Sequence, residues 1–193
     1  DLQGTVKFVF QPAEEGPPLN EEGGAPLMIK EGVMKNPDIE VMFGLHINAQ
    51  TNVGQITYKP GGTMAAADTW SVKIKGKQSH GSTPWTSIDP IVTSSLIING
   101  IQTIISRQTD LIKEPAVISV GMIRGGIRQN IIPEEVELLG TMRTLDTDMQ
   151  DILHAQFRRT VTNIAESQCA TVDIEIRKIA PVGYNDPALT AKA

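Results

Sequence analysis

Between Thr69 and Arg177 the hydrophobic periodicity alternates between strand and helix in the order βαββαβ, and this order restricts the fold more than any other feature of the chain. Thr69-Trp-Ser-Val-Lys-Ile-Lys75 alternates, with Trp70, Val72 and Ile74 on one face, as a half-buried strand does. Asp89-Pro90 supplies a cap and a first-turn proline for a helix reaching about Ser106, with Ile91, Ser94/Ser95, Ile98, Ile101 and Ile105 on its expected inner stripe. Ala116–Arg124 and Val136–Arg143 read as strands around a Gly-Gly and Ile-Pro connection. Thr147 to about Ser167 is an amphipathic helix, and Thr171–Arg177 is a last alternating strand. This is the split-βαβ, ferredoxin-like plan.

The residues before Gly61-Gly62, a hinge by composition, have the character of an α/β layer. A buried-strand pattern at Val6–Phe10 runs into the turn Gln11-Pro-Ala-Glu-Glu-Gly16. A polar stretch and a short helix around Pro26–Glu31 follow, and Val41–Leu45 reads as a second strand ending at His46. Asn185–Ala193 reads as a capped helix start that stops after about a turn. A chain that opens on a strand and closes on a helix start is expected to be an internal piece of a longer protein.

Composition narrows the function classes. The 193 residues are 40% hydrophobic and 20% charged, the proportions of an ordinary globular chain. No apolar run reaches the roughly 18 residues of a membrane span. A net charge of −5, with Lys and Arg scattered, offers no general attraction to nucleic acid. The single Cys169 rules out an internal disulfide and suits a reducing, cytoplasmic compartment. There is no P-loop, no dinucleotide fingerprint and no Gly-x-Ser-x-Gly elbow.

Five places carry candidate chemistry. Glu14 and Glu15 follow a strand pattern, where ligand sites of open α/β sheets lie. Adjacent carboxylates repel unless a cation lies between them, so one could bind a metal while the other handles a proton. The plainer reading is a solvated acidic turn. His46, at the end of the next strand pattern, would share that sheet edge, and together the three make a partial metal-ligand set. His80 lies in Ser79-His-Gly-Ser-Thr-Pro-Trp85, a Gly/Pro-rich loop that could present a donor to a developing oxyanion. Its plainer reading is a surface turn, with Trp85 covering its own domain. Asn130 either binds ligand or satisfies backbone in a hairpin connection. Arg143 could grip a carboxylate bidentately, or pair with Asp146 or Asp148.

Four ordered segments carry a family resemblance: Phe8–Gly16, Phe43-Gly-Leu-His46, Gly76–Trp85 with Asp89-Pro90, and Gly125-Gly126…Asn130-Ile-Ile-Pro133…Gly140-Thr-Met-Arg143. Over nearly the whole chain this resembles the M20 metallopeptidases, in the branch of aminoacylases, hippurate hydrolases and auxin-conjugate hydrolases. The resemblance implies a metal-dependent amidohydrolase cleaving N-acyl amino acids or related small amides, with two divalent ions (Zn, Mn, Co or Ni). Residues 1–61 would be part of a catalytic α/β domain, residues 62–178 an inserted lid that mediates homodimerisation, and residues 179–193 a return to the catalytic domain. Glu14 would be the general base acting on a metal-bridging water, and Glu15 and His46 metal ligands. His80 would reach into the partner subunit's site and polarise the scissile carbonyl, while Asn130 and Arg143 would bind substrate.

The resemblance also places further ligands before Asp1 and after Ala193, so the chain by itself is expected to bind metal poorly and hydrolyse little. Two other classes fit parts of the pattern. A non-catalytic dimerisation module would self-associate without metal. A small-molecule sensor on the βαββαβ plan would leave Glu14, Glu15 and His46 without a role.

Overall fold

The computed structural model describes residues 3–14, 16–18 and 21–192. The chain divides into two units, Asp1–Gln55 and Ile56–Ala193. Its architecture is mixed α/β.

In the first unit the regular element among the described residues is α1 (Gly24–Lys30). The expected strands at Val6–Phe10 and Val41–Leu45 do not form. Hydrophobic patterning states what a segment would bury, whereas a strand also needs a neighbour to take its N–H and C=O groups. No described segment of this unit supplies one, and Phe8, Phe10, Phe43 and Leu45 stay 67–89% exposed. The first of these segments is held instead by Lys7, whose Nζ donates to the carbonyls of Val33 (2.8 Å) and Lys35 (2.7 Å).

The second unit opens on β1 (Gly61–Met64), followed by β2 (Ala67–Lys75) and the two-residue β3 (Ser79–His80). A 3₁₀ turn at Pro84–Thr86 leads to α2 (Pro90–Thr103), which ends in a π-helical turn at Ile104–Gln108. Next come β4 (Ala116–Gly125), β5 (Ile131–Ile132), β6 (Glu135–Thr144) and α3 (Thr147–Ser167). The chain closes on β7 (Thr171–Ala180), β8 (Gly183–Asn185) and α4 (Pro187–Thr190). Four strands form one antiparallel sheet in the order β4-β6-β2-β7. Two short ribbons flank it: β1 with β8, where the chain enters and leaves this unit, and β3 with β5.

Helices α2 and α3 pack together on one face of the sheet, and the core lies between. Asp68, Trp70, Val72 and Ile74 alternate inward from β2, and Val136, Leu138 and Met142 from β6. Leu153, Phe157, Val161 and Ala165 come down from α3 at helical spacing. Each large aliphatic side chain so buried contributes roughly 1.5–3 kcal/mol. Trp70 and Phe157 meet with ring centroids 4.9 Å apart and tilted by 51°. Gly140, opposite Trp70 in the ladder, is required there: a Cβ would run into the indole and the Ser119 carbonyl.

α2 starts as its sequence says, with Asp89 accepting from the N–H groups of Ile91 (2.8 Å) and Val92 (3.2 Å). Its inner face is only partly the expected one, Ser94 and Ile101 being buried as expected. Ile97, Ile101 and Ile104 are buried with Thr93 and Ser94, while Ile91 is 46% exposed and Ile98 and Ile105 pack only at the margin. A helix apolar almost all round does not reveal by periodicity which stripe faces the sheet. Among the described residues no helix is long and apolar enough to cross a membrane.

Candidate functional site

In the first unit, the turn Pro12–Glu14 sets Glu14 beside His46. Ala13 takes a positive φ of 50° in this turn, and Gly16 N–H donates to the Ala13 carbonyl at 3.1 Å. Glu14 Oε1 lies 3.6 Å from His46 Nε2, with both side chains about half exposed. The other ring nitrogen, Nδ1, is 2.7 Å from the Ile47 carbonyl oxygen. A carbonyl only accepts, so Nδ1 carries a proton, and Nε2 faces the carboxylate, with a lone pair in the neutral ring or as an ion-pair donor in the protonated one.

With the ring neutral, two acceptors sit side by side, an arrangement that a cation between them would satisfy. A histidine that donates from one nitrogen to a carbonyl while offering the other is also how protein metal ligands are usually oriented. Carboxylate plus imidazole suits Zn, Mn, Co or Ni. His46 therefore fits one ligand position of a divalent ion, with the Glu14 carboxylate beside it. Among the described residues no group of three or more His, Cys, Asp or Glu converges. Glu15 lies outside the described residues.

In the second unit, His80 and Asn130 are neighbours through the β3–β5 ribbon. His80 pairs with Ile131, and Gly81 N–H donates to the Asn130 carbonyl at 2.8 Å. That bond runs between main-chain groups and leaves the role of the Asn130 side chain open to a ligand contact. His80 is exposed, and its Nδ1 lies 2.7 Å from Ser82 Oγ and 3.2 Å from the Ser82 N–H. Its carbonyl accepts from Thr83 N–H (2.9 Å), which fixes the loop as a turn. Trp85 does not cover its own domain; it is 79% exposed, because the 3₁₀ turn at Pro84–Thr86 carries it away from the sheet.

Arg143 lies elsewhere. Its Nη1 donates to the carbonyls of Met142 (2.8 Å) and Asp68 (3.1 Å) at the opposite end of β6. Neither Asp146 nor Asp148 pairs with it: Asp146 is taken by Lys113 at 2.9 Å. The ladder runs from Asp68↔Met142 to Lys75↔Glu135 before the chain reaches β3 and β5. Those seven register steps span about 23 Å at the usual strand rise. One chain therefore brings His80 and Asn130 together and keeps Arg143 apart from them.

The sequence reading missed two features near these residues. Ser82, inside the Ser79–Trp85 segment, touches the ring of His80. Asp68, whose carbonyl holds Arg143, is itself 1% exposed and gripped by Gln150 and His154. An inward-facing aspartate in a strand whose other inward residues are apolar was the available signal for the second.

A family model described as peptidase family M20/M25/M40 matches residues 1–193. Thermostable carboxypeptidase 2 of Saccharolobus solfataricus is 36% identical over 98% of this chain and 47% of its own length. Hippurate hydrolase of Campylobacter jejuni is 32% identical over 96% of this chain and 47% of its own. The chain thus spans about half the length of the curated relatives it matches. Among solved structures, the YxeP protein of Bacillus subtilis, described as a dinuclear metal-binding peptidase of the M20 family, superposes with a TM-score of 0.67 at 29% identity. It covers 85% of this chain and 39% of that one. A Staphylococcus aureus structure described as an aminohydrolase gives a TM-score of 0.85 at 30% identity, covering 94% of this chain and 45% of that one.

Proposed function

Because the chain belongs to the peptidase family M20/M25/M40, we propose that it acts in a metal-dependent amidohydrolase that cleaves the amide bond of N-acyl amino acids or related small amides. The observation that carries this reading is the pairing of Glu14 with His46 Nε2 at 3.6 Å, while Nδ1 of the same ring faces a backbone carbonyl. The names of the relatives support the substrate class, since hippurate is an N-acyl amino acid and N-acetylcysteine, acted on by a Bacillus subtilis relative, is another.

In this reading residues 1–61 are part of the catalytic domain, with Glu15 and His46 as ligands. Divalent ions, when bound, would make water nucleophilic near neutral pH and polarise the substrate carbonyl. Glu14 accepts the proton of the attacking water and returns it to the leaving amine. His80 donates a hydrogen bond to the carbonyl oxygen as negative charge develops there. Arg143 has donors left over after its two backbone bonds, so it can take the substrate carboxylate, and the Asn130 amide adds a further contact.

Residues 62–178 act as a ferredoxin-like lid, a role supported by the antiparallel order β4-β6-β2-β7 with both helices on one face. Residues 179–193 return toward the catalytic domain. The separation of Arg143 from His80 and Asn130 supports a homodimer, since it exceeds the length of a small N-acyl amino acid. One substrate can meet all three residues only if two copies contribute them. The exposed edge strand β4, with Val117, Met122 and Ile123 facing outward, offers a surface for that association. The exposed, unpaired Cys169 suits a reducing cytoplasm.

The test is release of free amino acid from N-acetyl and N-benzoyl substrates by the protein as its host produces it, with and without chelator. Glu14→Gln is expected to lower kcat by about 10²–10⁴. Chelator-insensitive hydrolysis, or full activity of Glu14→Gln, would sink the proposal. Elemental mass spectrometry of the 193-residue chain after incubation with Zn or Mn should show well under two ions per chain. A value near two would mean that Glu14, Glu15 and His46 hold more than their number suggests.

A further inference from the structure

The protein has three histidines, and the hydrogen-bond partners of His46 and His80 call for opposite tautomers of the neutral ring. His46 must carry its proton on Nδ1, because that nitrogen faces the Ile47 carbonyl. At His80 the same nitrogen faces the Ser82 backbone N–H at 3.2 Å, a group that can only donate. Nδ1 of His80 is therefore an acceptor, and the proton of the neutral ring sits on Nε2. Ser82 Oγ, 2.7 Å from the same nitrogen, could by itself donate or accept. With the N–H already claiming the lone-pair direction, its hydroxyl donates as well.

We infer that Ser82 is a positioning residue, which fixes His80 as the Nε2–H tautomer so that its outward nitrogen is a hydrogen-bond donor. This deepens the proposed function and rests on it for its consequence. A histidine that polarises a carbonyl must present N–H to the oxygen, and the wrong tautomer would present a lone pair and repel it. The ring is exposed and on a loop, and among the described residues both groups that meet its Nδ1 belong to Ser82. The same turn restricts rotation of the ring, because Ser82 holds it two residues away by backbone and side chain together. Ser82 itself touches neither substrate nor ion in this account.

The experiment is a two-bond ¹H–¹⁵N correlation spectrum of ¹⁵N-histidine-labelled protein above the histidine titration range, with each ring assigned by His46→Gln, His80→Gln and His154→Gln. The expected pattern for His80 is a protonated Nε2 with an acceptor Nδ1, and for His46 the reverse, which serves as the internal control. Ser82→Ala, which removes the hydroxyl and keeps the backbone N–H, should move the His80 nitrogens part of the way toward a mixed-tautomer pattern. Ser82→Thr, which keeps the hydroxyl, should restore the wild-type one. In the active enzyme, Ser82→Ala should lower kcat about 3- to 30-fold with little change in KM, since the donated bond matters most in the transition state.

A wild-type His80 protonated on Nδ1, or nitrogen shifts that ignore Ser82→Ala, would overturn the inference. Failure of the functional reading looks different: the spectra would behave as described while His80→Gln left kcat untouched.

Discussion

His154 donates from Nε2 to Asp68 Oδ2 across 2.6 Å, joining α3 to the first inward position of β2 beneath the sheet. Gln150, one helical turn earlier, donates to both oxygens of the same carboxylate at 2.9 and 3.0 Å. The Asp68 side chain is 2% exposed and that of His154 15%. A carboxylate so buried is stable only with its acceptor positions filled, and here two side chains of one helix fill them. The same residue's carbonyl holds Arg143, so the register of α3 on the sheet and the placement of that guanidinium share one anchor.

Asp68→Ala strands two buried donors at once and should destabilise the second unit by about 3 kcal/mol. Asp68→Asn keeps one acceptor for Gln150 but turns an amide N–H toward His154, which must then accept. A loss of about 1 kcal/mol is expected for it. Urea unfolding of the three proteins would check this order, and equal stabilities for Asp68→Ala and wild type would contradict it.

Asp146 caps the N-terminus of the same helix, one turn before Gln150, and its pH dependence follows from its partners. Its side chain caps α3 by accepting from Met149 N–H at 2.7 Å and pairs with Lys113 at 2.9 Å. The Lys113 ammonium first, then the Met149 N–H, hold its carboxyl below the ordinary aspartate value of 3.8. A depressed folded-state pKa means that this stabilisation is complete above 3.8 and drains away as pH falls through the lower folded value. Asp146→Asn retains a capping oxygen, so it should leave neutral stability nearly intact and flatten the acid limb. Asp146→Ala should lose about 1 kcal/mol at pH 7. An acid limb in Asp146→Asn as steep as in wild type would exclude this account.

These anchors explain how far the sequence could be read. The alternation at Thr69–Lys75 and the amphipathic run Thr147–Ser167 survive as β2 and α3 because each has a single apolar face, and only one orientation buries it. α2 defeats the same logic, being apolar on most sides, and its buried stripe differs from the expected one. Val6–Phe10 and Val41–Leu45 carry a strand's composition without a ladder partner among the described residues, which pattern alone cannot reveal. The ribbon joining His80 to Asn130 is two residues long on each side, too short for any periodicity. The distance to Arg143 becomes visible only from the β2–β6 register. The nearness of Glu14 and His46 was therefore an expectation the residues allowed, whereas the grouping of His80 with Asn130 and apart from Arg143 was not.

Gly140 gives a sharper test of packing than any apolar truncation. Its missing side chain makes room for Trp70 on one side and the Ser119 carbonyl on the other. Gly140→Ala must displace either a core indole or the β4–β6 ladder, and a loss of at least about 2 kcal/mol is expected. The tryptophan emission of Trp70 should shift to the red as the ring is pushed toward water. An unshifted spectrum with unchanged stability would mean that the sheet relaxes around the methyl.

The separation of His80 from Arg143 makes a prediction that needs no structure of an assembly. If each substrate takes His80 from one copy and Arg143 from the other, His80→Gln and Arg143→Ala each disable both sites of a homodimer. In a mixed dimer the two defects fall on the same site, and the second site holds a native His80 and a native Arg143. Random reassortment makes half the dimers mixed, with one good site in two, so roughly a quarter of wild-type activity should return on mixing two inactive proteins. Recovery should require conditions that let subunits exchange and should disappear if the two preparations are kept from exchanging. If His80 and Arg143 of the same copy served one substrate, mixing would restore nothing, since every site would then carry one of the two defects.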